Sequence, residues 1–284
     1  MKTLTMDEAV EEALFEEMAR DARVLALGEG VVETWSRLRQ SYGPQRIRNT
    51  PLAEGIIAGT AVGASAMGLR PVIDMLCAPF LCYAMEELVN SAGKLRYLSG
   101  GQFSFPLVVL ARTGIGFSVG AQHSHSLEAW FAHAPGLKVV MPSSPAEAKG
   151  LLKAAIRDEN PVLFFPDFTQ GAVPGEVPEG EHLLPLGKAE VAREGQHATI
   201  VTYGRMVHTA REAAAALAEQ GVSVEIINLR TIKPLDEGAV LASVRKTGRL
   251  VVAHEASRMC GVGAEVSAIV AEKAFGALKA PILH

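Results

Sequence analysis

One acid stands alone in the stretch RNTPLAEGIIAGTAVGASAMGLR, where nothing between Glu54 and Arg70 carries charge. At the start of a helix of small and apolar residues, a carboxylate complements the positive end of the helix dipole. Glycine and alanine around it would also let a flat ligand come close, and a desolvated acid there makes a good proton relay. A second group is QHSHSLEAWFAH, which gathers His123, His125 and His133. Histidines spaced HxH can point the same way on an extended segment and hold a metal, with His133 as a third ligand and Glu128 as the nearby carboxylate. The competing readings are a neutral imidazole acting as proton donor or substrate anchor, and histidines satisfied by backbone.

The turn TGIGFSVG follows a predicted strand, but Gly114, Gly116 and Gly120 make GxGxxxG, and no acidic residue closes a following strand where a ribose contact would need one. A tight turn where backbone must approach something closely is the better reading. No GxSxG elbow and no Walker loop occurs, and Ser99 in SGGQ has no base beside it. The chain therefore has acids, histidines and glycine turns without a self-sufficient active site.

These groups must be carried by elements, and the text alternates. VLALGEG, PVIDML, PLVVLART, KVVMP and PVLFF read as buried strands; residues 53–67, 81–98 and 145–157 read as helices, the last opened by Ser143, Ser144 and Pro145. Strands without polar alternation between helices imply a parallel sheet covered on both faces. Residues 168–187 are rich in Gly, Pro and Glu without apolar period, which predicts a linker. ATIVTYG, VSVEIINLR and LVVAHEA, with helices near 207–219 and 236–245 and over GVGAEVSAIVAEKAF, form a second, smaller α/β unit. The expected domains are 1–167 and 188–284, joined by 168–187.

Composition agrees with this. At 284 residues the soft prior is two domains, and 49% hydrophobic against 20% charged residues describes an ordinary globular chain. The net charge is −4 and no basic run occurs, which argues against nucleic acid as a partner. Cys77, Cys82 and Cys260 are odd in number, lie in apolar sequence and show no CxxC spacing, as expected in a reducing, cytoplasmic compartment. The acidic, amphipathic start and the lack of a long apolar run indicate neither export nor membrane insertion.

Several long motifs, in order, resemble one family. TPLAEGIIAGTAVGASAMGLRPV, NSAGKLRYLSGGQFSFPLVV, QHSHSLEAWFAHAPGLKVVMPSSPAEAKGLL and AAIRDENPVLF, then LGKAEVAREG, TIVTYGRMV, INLRTIKPLD and GVGAEVSAIVAEKAF, cover nearly the whole length. They resemble the beta subunit of the decarboxylating component of thiamine-diphosphate-dependent 2-oxo acid dehydrogenase complexes, of the transketolase-like superfamily. The acetoin-cleaving enzymes share this subunit type.

The resemblance implies a parallel-sheet pyrimidine-binding domain followed by a smaller α/β transketolase C-terminal domain. It implies that Glu54 bonds the aminopyrimidine ring nitrogen of thiamine diphosphate, with Leu52 and Phe80 touching that ring and Glu29 near it. His123 aligns with a histidine that faces substrate and assists acyl transfer to lipoyl groups. AAIRDEN resembles a loop that holds a monovalent cation, K+, mostly by backbone carbonyls, with Asp158 as the side-chain neighbour. The diphosphate and Mg2+ belong to an alpha subunit carrying GDG, absent here, so the resemblance implies an α2β2 assembly inactive as the beta chain alone, with the glycine-rich helix 55–68 at a subunit contact. A lipoyl acyltransferase and a small 2-oxo acid (pyruvate or a branched-chain acid) are the other expected partners. The rivals are an acetoin dehydrogenase subunit, a transketolase-like half acting on sugar phosphates, and a degenerate scaffold subunit. Departures from the family pattern are GEGVVETWSRL near the start, Pro79 in LCAPF, His125, Asn228, and an end at APILH short of where relatives end.

Overall fold

In the computed structural model, which describes residues 1–116 and 118–284, the chain runs through thirteen strands and ten α-helices among the described residues. It opens with β1 (Lys2–Thr5), α1 (Met6–Arg20), β2 (Val24–Gly28), α2 (Val31–Thr34), α3 (Ser36–Tyr42), β3 (Ile47–Asn49), α4 (Glu54–Ala66) and β4 (Arg70–Cys77). A 3-10 segment (Ala78–Ala84), a π-helical segment (Glu86–Ala92) and α5 (Leu95–Leu98) lead to β5 (Val108–Arg112), α6 (Glu128–His133), β6 (Lys138–Val140), α7 (Pro145–Arg157) and β7 (Val162–Phe164). Then come β8 (Pro174–Val177), β9 (Glu190–Arg193), β10 (Ala198–Thr202), α8 (Met206–Ala218), β11 (Val224–Asn228), β12 (Thr231–Lys233), α9 (Glu237–Thr247), β13 (Leu250–Ala253) and α10 (Val262–Ala274).

The strands form a seven-stranded sheet, order β12-β6-β7-β5-β4-β2-β3, a four-stranded sheet, order β13-β10-β11-β9, and the pair β1-β8. In the large sheet β3, β2, β4, β5, β7 and β6 are all parallel and β12 is antiparallel. Their side chains are apolar on both faces, as a sheet covered twice requires. One face packs on α1 and α7 through Leu14, Met18, Leu151 and Phe164, and the other on α4 through Ile57, Ala61 and Ile73. Local chemistry sets the helix starts: Thr5 and Glu8 close a capping box on α1, and Ser144 caps α7 with Pro145 in its first turn.

The structure departs from the sequence reading in four places. Residues 81–98 are not one helix but successive 3-10, π and α segments. The reason is the neighbour: a Cβ on Gly55 would lie 3.2 Å from the Tyr83 carbonyl oxygen and one on Gly59 3.5 Å from Glu87 Cγ, so α4 draws this segment against its glycines. Gly55 and Gly59 thus serve a contact inside the chain, while Ile56, Thr60, Gly63 and Met67 face outward. The stretch read as linker contains β8, paired antiparallel with β1, and β12 leaves the second unit to join β6. Cys82 and Cys260 are exposed rather than in apolar surroundings; all three cysteines are free.

Charge is buried where α1 meets α7. Lys149, with no exposed surface, bonds Glu12 and Glu16 at 2.7 Å each, and Lys153 reaches Glu16 at 2.7 Å and Glu181 at 2.8 Å. A buried ammonium is tolerable only with such partners.

Candidate active site

Five of the predicted residues follow the carboxyl ends of four adjacent parallel strands. Glu29 comes directly after β2, Leu52 and Glu54 after β3, Phe80 after β4, and His123 beyond β5. Open parallel sheets bind ligands outside these strand ends, because the connecting loops are free to vary there.

The β2 and β3 loops are tied together: Thr50 N donates to the Gly28 carbonyl at 2.9 Å, and Asn49 takes Val32 N at 2.8 Å while donating to Glu33 at 2.8 Å. Glu29 is left half-buried beside them, and Leu52 projects with 65% of its surface exposed. Glu54 is the first residue of α4, and its carboxylate has no hydrogen bond or ion pair among the described residues. Its charge is felt nearby: burial first, then the carboxylates of Asp74 and Glu54, push the Cys77 thiol up to about 11.

Phe80 sits in the 3-10 segment after β4, and its ring meets that of His123 edge-on, with centroids 5.2 Å apart and planes at 84°. His123 Nδ1 lies 2.9 Å from the Val119 carbonyl oxygen. A carbonyl only accepts, so Nδ1 carries the hydrogen and Nε2 is the free nitrogen, open to a substrate as proton acceptor or, once protonated, donor. The loop that presents His123 is anchored by Thr113: its amide donates to Pro166 at 3.0 Å, its carbonyl accepts from Phe168 N at 2.9 Å, and its hydroxyl donates to the His125 carbonyl at 3.2 Å. Phe117, within the predicted glycine turn, lies outside the described residues. Gly114 has φ +106°, and a Cβ there would collide with the Asp167 carboxylate, so that turn needs its glycine.

The three histidines do not converge. His125 and His133 are exposed, Glu128 is buried elsewhere, and among the described residues no group of three or more His, Cys, Asp or Glu side chains is arranged to hold a metal. The loops at 28–30, 50–54, 77–84 and 113–126 themselves offer a phosphate no lysine or arginine.

Asp158 lies apart, before β7 and so at the opposite, amino-terminal edge of the sheet. Its carboxylate pairs with Lys138 and accepts from the backbone and side-chain nitrogens of Asn160 at 2.9 Å each. The carbonyls of Ile156 and Asp158 both accept from Arg70 Nη1, at 3.0 and 3.2 Å, and Arg70 also pairs with Glu159. The side chain of Asp158 is thus committed within the protein, and Arg70 occupies two of the backbone oxygens that a monovalent cation would need.

Sequence reasoning missed Asp167, Tyr203, Arg205 and Glu255, which lie together at the junction of the two units. No spacing signals them, because they come from separate segments.

Comparison with known proteins bears on this arrangement. The model of the transketolase pyrimidine binding domain matches residues 2–167 and that of the transketolase C-terminal domain residues 187–284. The chain is 44% identical to the acetoin:2,6-dichlorophenolindophenol oxidoreductase subunit beta of Cupriavidus necator, over 99% of this chain and 88% of that one. It is 43% identical to the 2-oxoisovalerate dehydrogenase subunit beta of Bacillus subtilis, again over 99% and 88%. The chain belongs to the transketolase-type family of dehydrogenase beta subunits. Another member, the mitochondrial pyruvate dehydrogenase E1 component subunit beta-2 of Oryza sativa, is 44% identical over 99% of this chain and 77% of its own length. Among solved structures, a split-gene transketolase described as an inactive beta4 tetramer superposes with TM-score 0.83 at 26% identity, covering 98% of this chain and 86% of that one. A transketolase from Pichia stipitis shares the fold at TM-score 0.70 and 16% identity, over 90% of this chain and 40% of its own. The two-domain α/β expectation and the family expectation both hold.

Proposed function

We propose that this family member is the beta subunit of a thiamine-diphosphate-dependent 2-oxo acid dehydrogenase, with residues 1–167 and 188–284 as its working domains. The observation that carries the reading is the unpaired Glu54 carboxylate at the start of α4, on the same sheet edge as the Phe80–His123 ring pair.

Thiamine diphosphate, when bound, supplies the carbon nucleophile that adds to a 2-oxo carbonyl. Glu54 holds a proton at the aminopyrimidine ring nitrogen: a carboxylate without another partner is free to accept that hydrogen bond, and exclusion of water strengthens it. Leu52 and Phe80 offer apolar and aromatic surface to the ring, with Glu29 beside it. His123 presents Nε2 to the substrate and moves a proton during acyl transfer to a lipoyl group. In this reading the diphosphate and Mg2+ fall to an alpha subunit, the loops at this edge having no lysine or arginine to offer, and the proposed assembly is α2β2, acting in the cytoplasm with a lipoyl acyltransferase. A potassium ion at 154–160 would have to displace Arg70 from the Ile156 and Asp158 carbonyls and Lys138 from the Asp158 carboxylate, so these residues do not fit it as they stand.

The test is calorimetric titration of thiamine diphosphate with Mg2+ into the beta chain alone, the alpha chain alone and the mixture, alongside dye reduction with pyruvate, branched 2-oxo acids and acetoin. Binding and turnover only in the mixture support the reading. Acetoin as the only substrate moves the protein to the acetoin branch. Unchanged turnover in Glu54→Gln overturns the role of Glu54, and absence of cofactor binding in the mixture leaves a scaffold subunit.

A further inference from the structure

The four-stranded sheet ends at β13, and the outer edge of that strand is not bare. Residues 281–284 run along it: Val252 N donates to the Leu283 carbonyl at 2.9 Å, Leu283 N donates to the Leu250 carbonyl at 3.1 Å, and Leu283 bridges Val251 in parallel. Side chains add little hold there, since Leu283 is 62% exposed and Ile282 is only partly buried against the core. A segment kept by two backbone bonds and one such side chain has low local stability, so whatever else pins it decides whether it stays.

What pins it is a pair of imidazoles. His254 follows β13 directly, and its ring stacks on Tyr203 with centroids 5.8 Å apart and planes at 18°. Its Nε2 accepts from Gly263 N at 3.1 Å. Gly263 lies in the first turn of α10, whose N-cap Gly261 has no side chain to offer, so His254 supplies the acceptor that a capping side chain would. An accepting Nε2 puts the ring hydrogen on Nδ1. His284 Nε2 stands 2.8 Å from the same nitrogen, with ring centroids 4.8 Å apart, and so must donate its own hydrogen to it. His284 is seated closely, because a Cβ on Gly263 would collide with its ring.

This arrangement needs a neutral His254. His284 can take a proton on its far nitrogen and still donate, but a proton on His254 has only Nε2 to go to. There it would set one N–H against two donors and place a cation on the positive end of α10. No carboxylate answers that charge. Behind Tyr203 lies a carboxyl cluster, but Glu128 accepts from the Tyr203 hydroxyl at 2.7 Å, Glu255 meets Arg205 at 2.5 Å, and Asp167 takes the Thr169 amide at 2.7 Å and its hydroxyl at 2.5 Å. Arg258 and Cys260, in the turn before α10, and Glu265, in its first turn, are exposed. Burial first, and His284 second, hold His254 below its usual range, while the Ala256 backbone acts the other way.

We propose that His254 is a proton switch for this segment: as a neutral acceptor it caps α10 and pins His284, and once protonated it lets residues 281–284 come away from β13. Release would leave the edge of the small sheet open to pairing. The switch does not rest on the function proposed above.

The sign follows from linkage. A histidine held below its ordinary pKa contributes stability that is complete above the unfolded value of 6.5 and is lost as pH falls through the folded one. Hydrogen exchange of peptides covering 248–256, 261–270 and 278–284, corrected for intrinsic exchange, is measured from about pH 5 to pH 8 in the full chain. In the wild type, protection in all three is expected to hold above about pH 7 and to fall roughly fivefold by about pH 5. His254→Gln, which accepts without titrating, should keep the profile flat. His284→Phe, which keeps a ring beside Gly263 but cannot donate, should lower protection of 278–284 at every pH. A wild-type profile without the fall, a fall that spares 278–284, or the same fall in His254→Gln overturns the switch. If His254→Gln does not fold, nitrogen-15 NMR of the wild type decides. A His254 ring that carries its hydrogen on Nδ1 and titrates together with the Leu283 amide supports the switch, and a Leu283 amide indifferent to that titration overturns it.

Discussion

The two edges of the seven-stranded sheet are built from the same strands and are opposites in chemistry. At the amino-terminal edge every charge is answered: Arg70 holds two carbonyls and Glu159, Lys138 holds Asp158, and Asp21 faces Arg23 at 2.7 Å. At the carboxyl-terminal edge Glu29 and Glu54 have no partner among the described residues, and Leu52, Ile56 and Tyr83 are exposed. A fold gains nothing by leaving carboxylates and apolar side chains unmatched, so the contrast separates residues kept for stability from residues kept for something that docks.

The contrast can be broken by substitution at each edge. The largest effect is expected for Glu54→Gln in the assembled enzyme: at least ~100-fold lower turnover, about 3 kcal/mol of barrier, with an unchanged melting temperature. Lost stability instead would make Glu54 a structural residue. Arg70→Met should do the reverse, costing about 2–4 kcal/mol of unfolding free energy in denaturant titrations because two carbonyls and Glu159 lose their donor, with cofactor affinity unaltered. Phe80→Ala is expected to weaken cofactor binding about tenfold by calorimetry, with little change in stability, since the ring is only half-buried. The smallest effect concerns acid: Arg23 holds the Asp21 carboxyl at about 2, below its usual 3.8. Its contribution is complete above pH 3.8 and lost as pH falls through about 2, so Asp21→Asn should lower the melting temperature slightly near neutrality, flatten the acid limb and approach the wild type at about pH 2.

Much of this was legible in the sequence, for identifiable reasons. The strands announced themselves as unbroken apolar runs, and Ser144-Pro145 marked the start of α7, because those signals are local. Glu54 stood out because its surroundings carry no other charge. What stayed hidden depends on distant partners. Residues 81–98 read as a helix until α4 imposes its glycines, and Lys149 looks like a solvated helix residue until Glu12 and Glu16, far earlier in the chain, bury it. The carboxyl cluster draws on three segments, none with a motif of its own. β12 was invisible because Thr231–Lys233 is too short to carry a period.

That last strand ties the molecule together. β12 covers the open side of β6, and one apolar core runs from Phe131 and Met141 through Ile232 to Val266 without a seam. A protease cut near residue 180 would therefore not release two folded halves. The first half would present a bare β6 edge, a template for pairing with other chains, and the second would lose the strand on which β12 pairs. Heating should therefore produce one calorimetric transition rather than two.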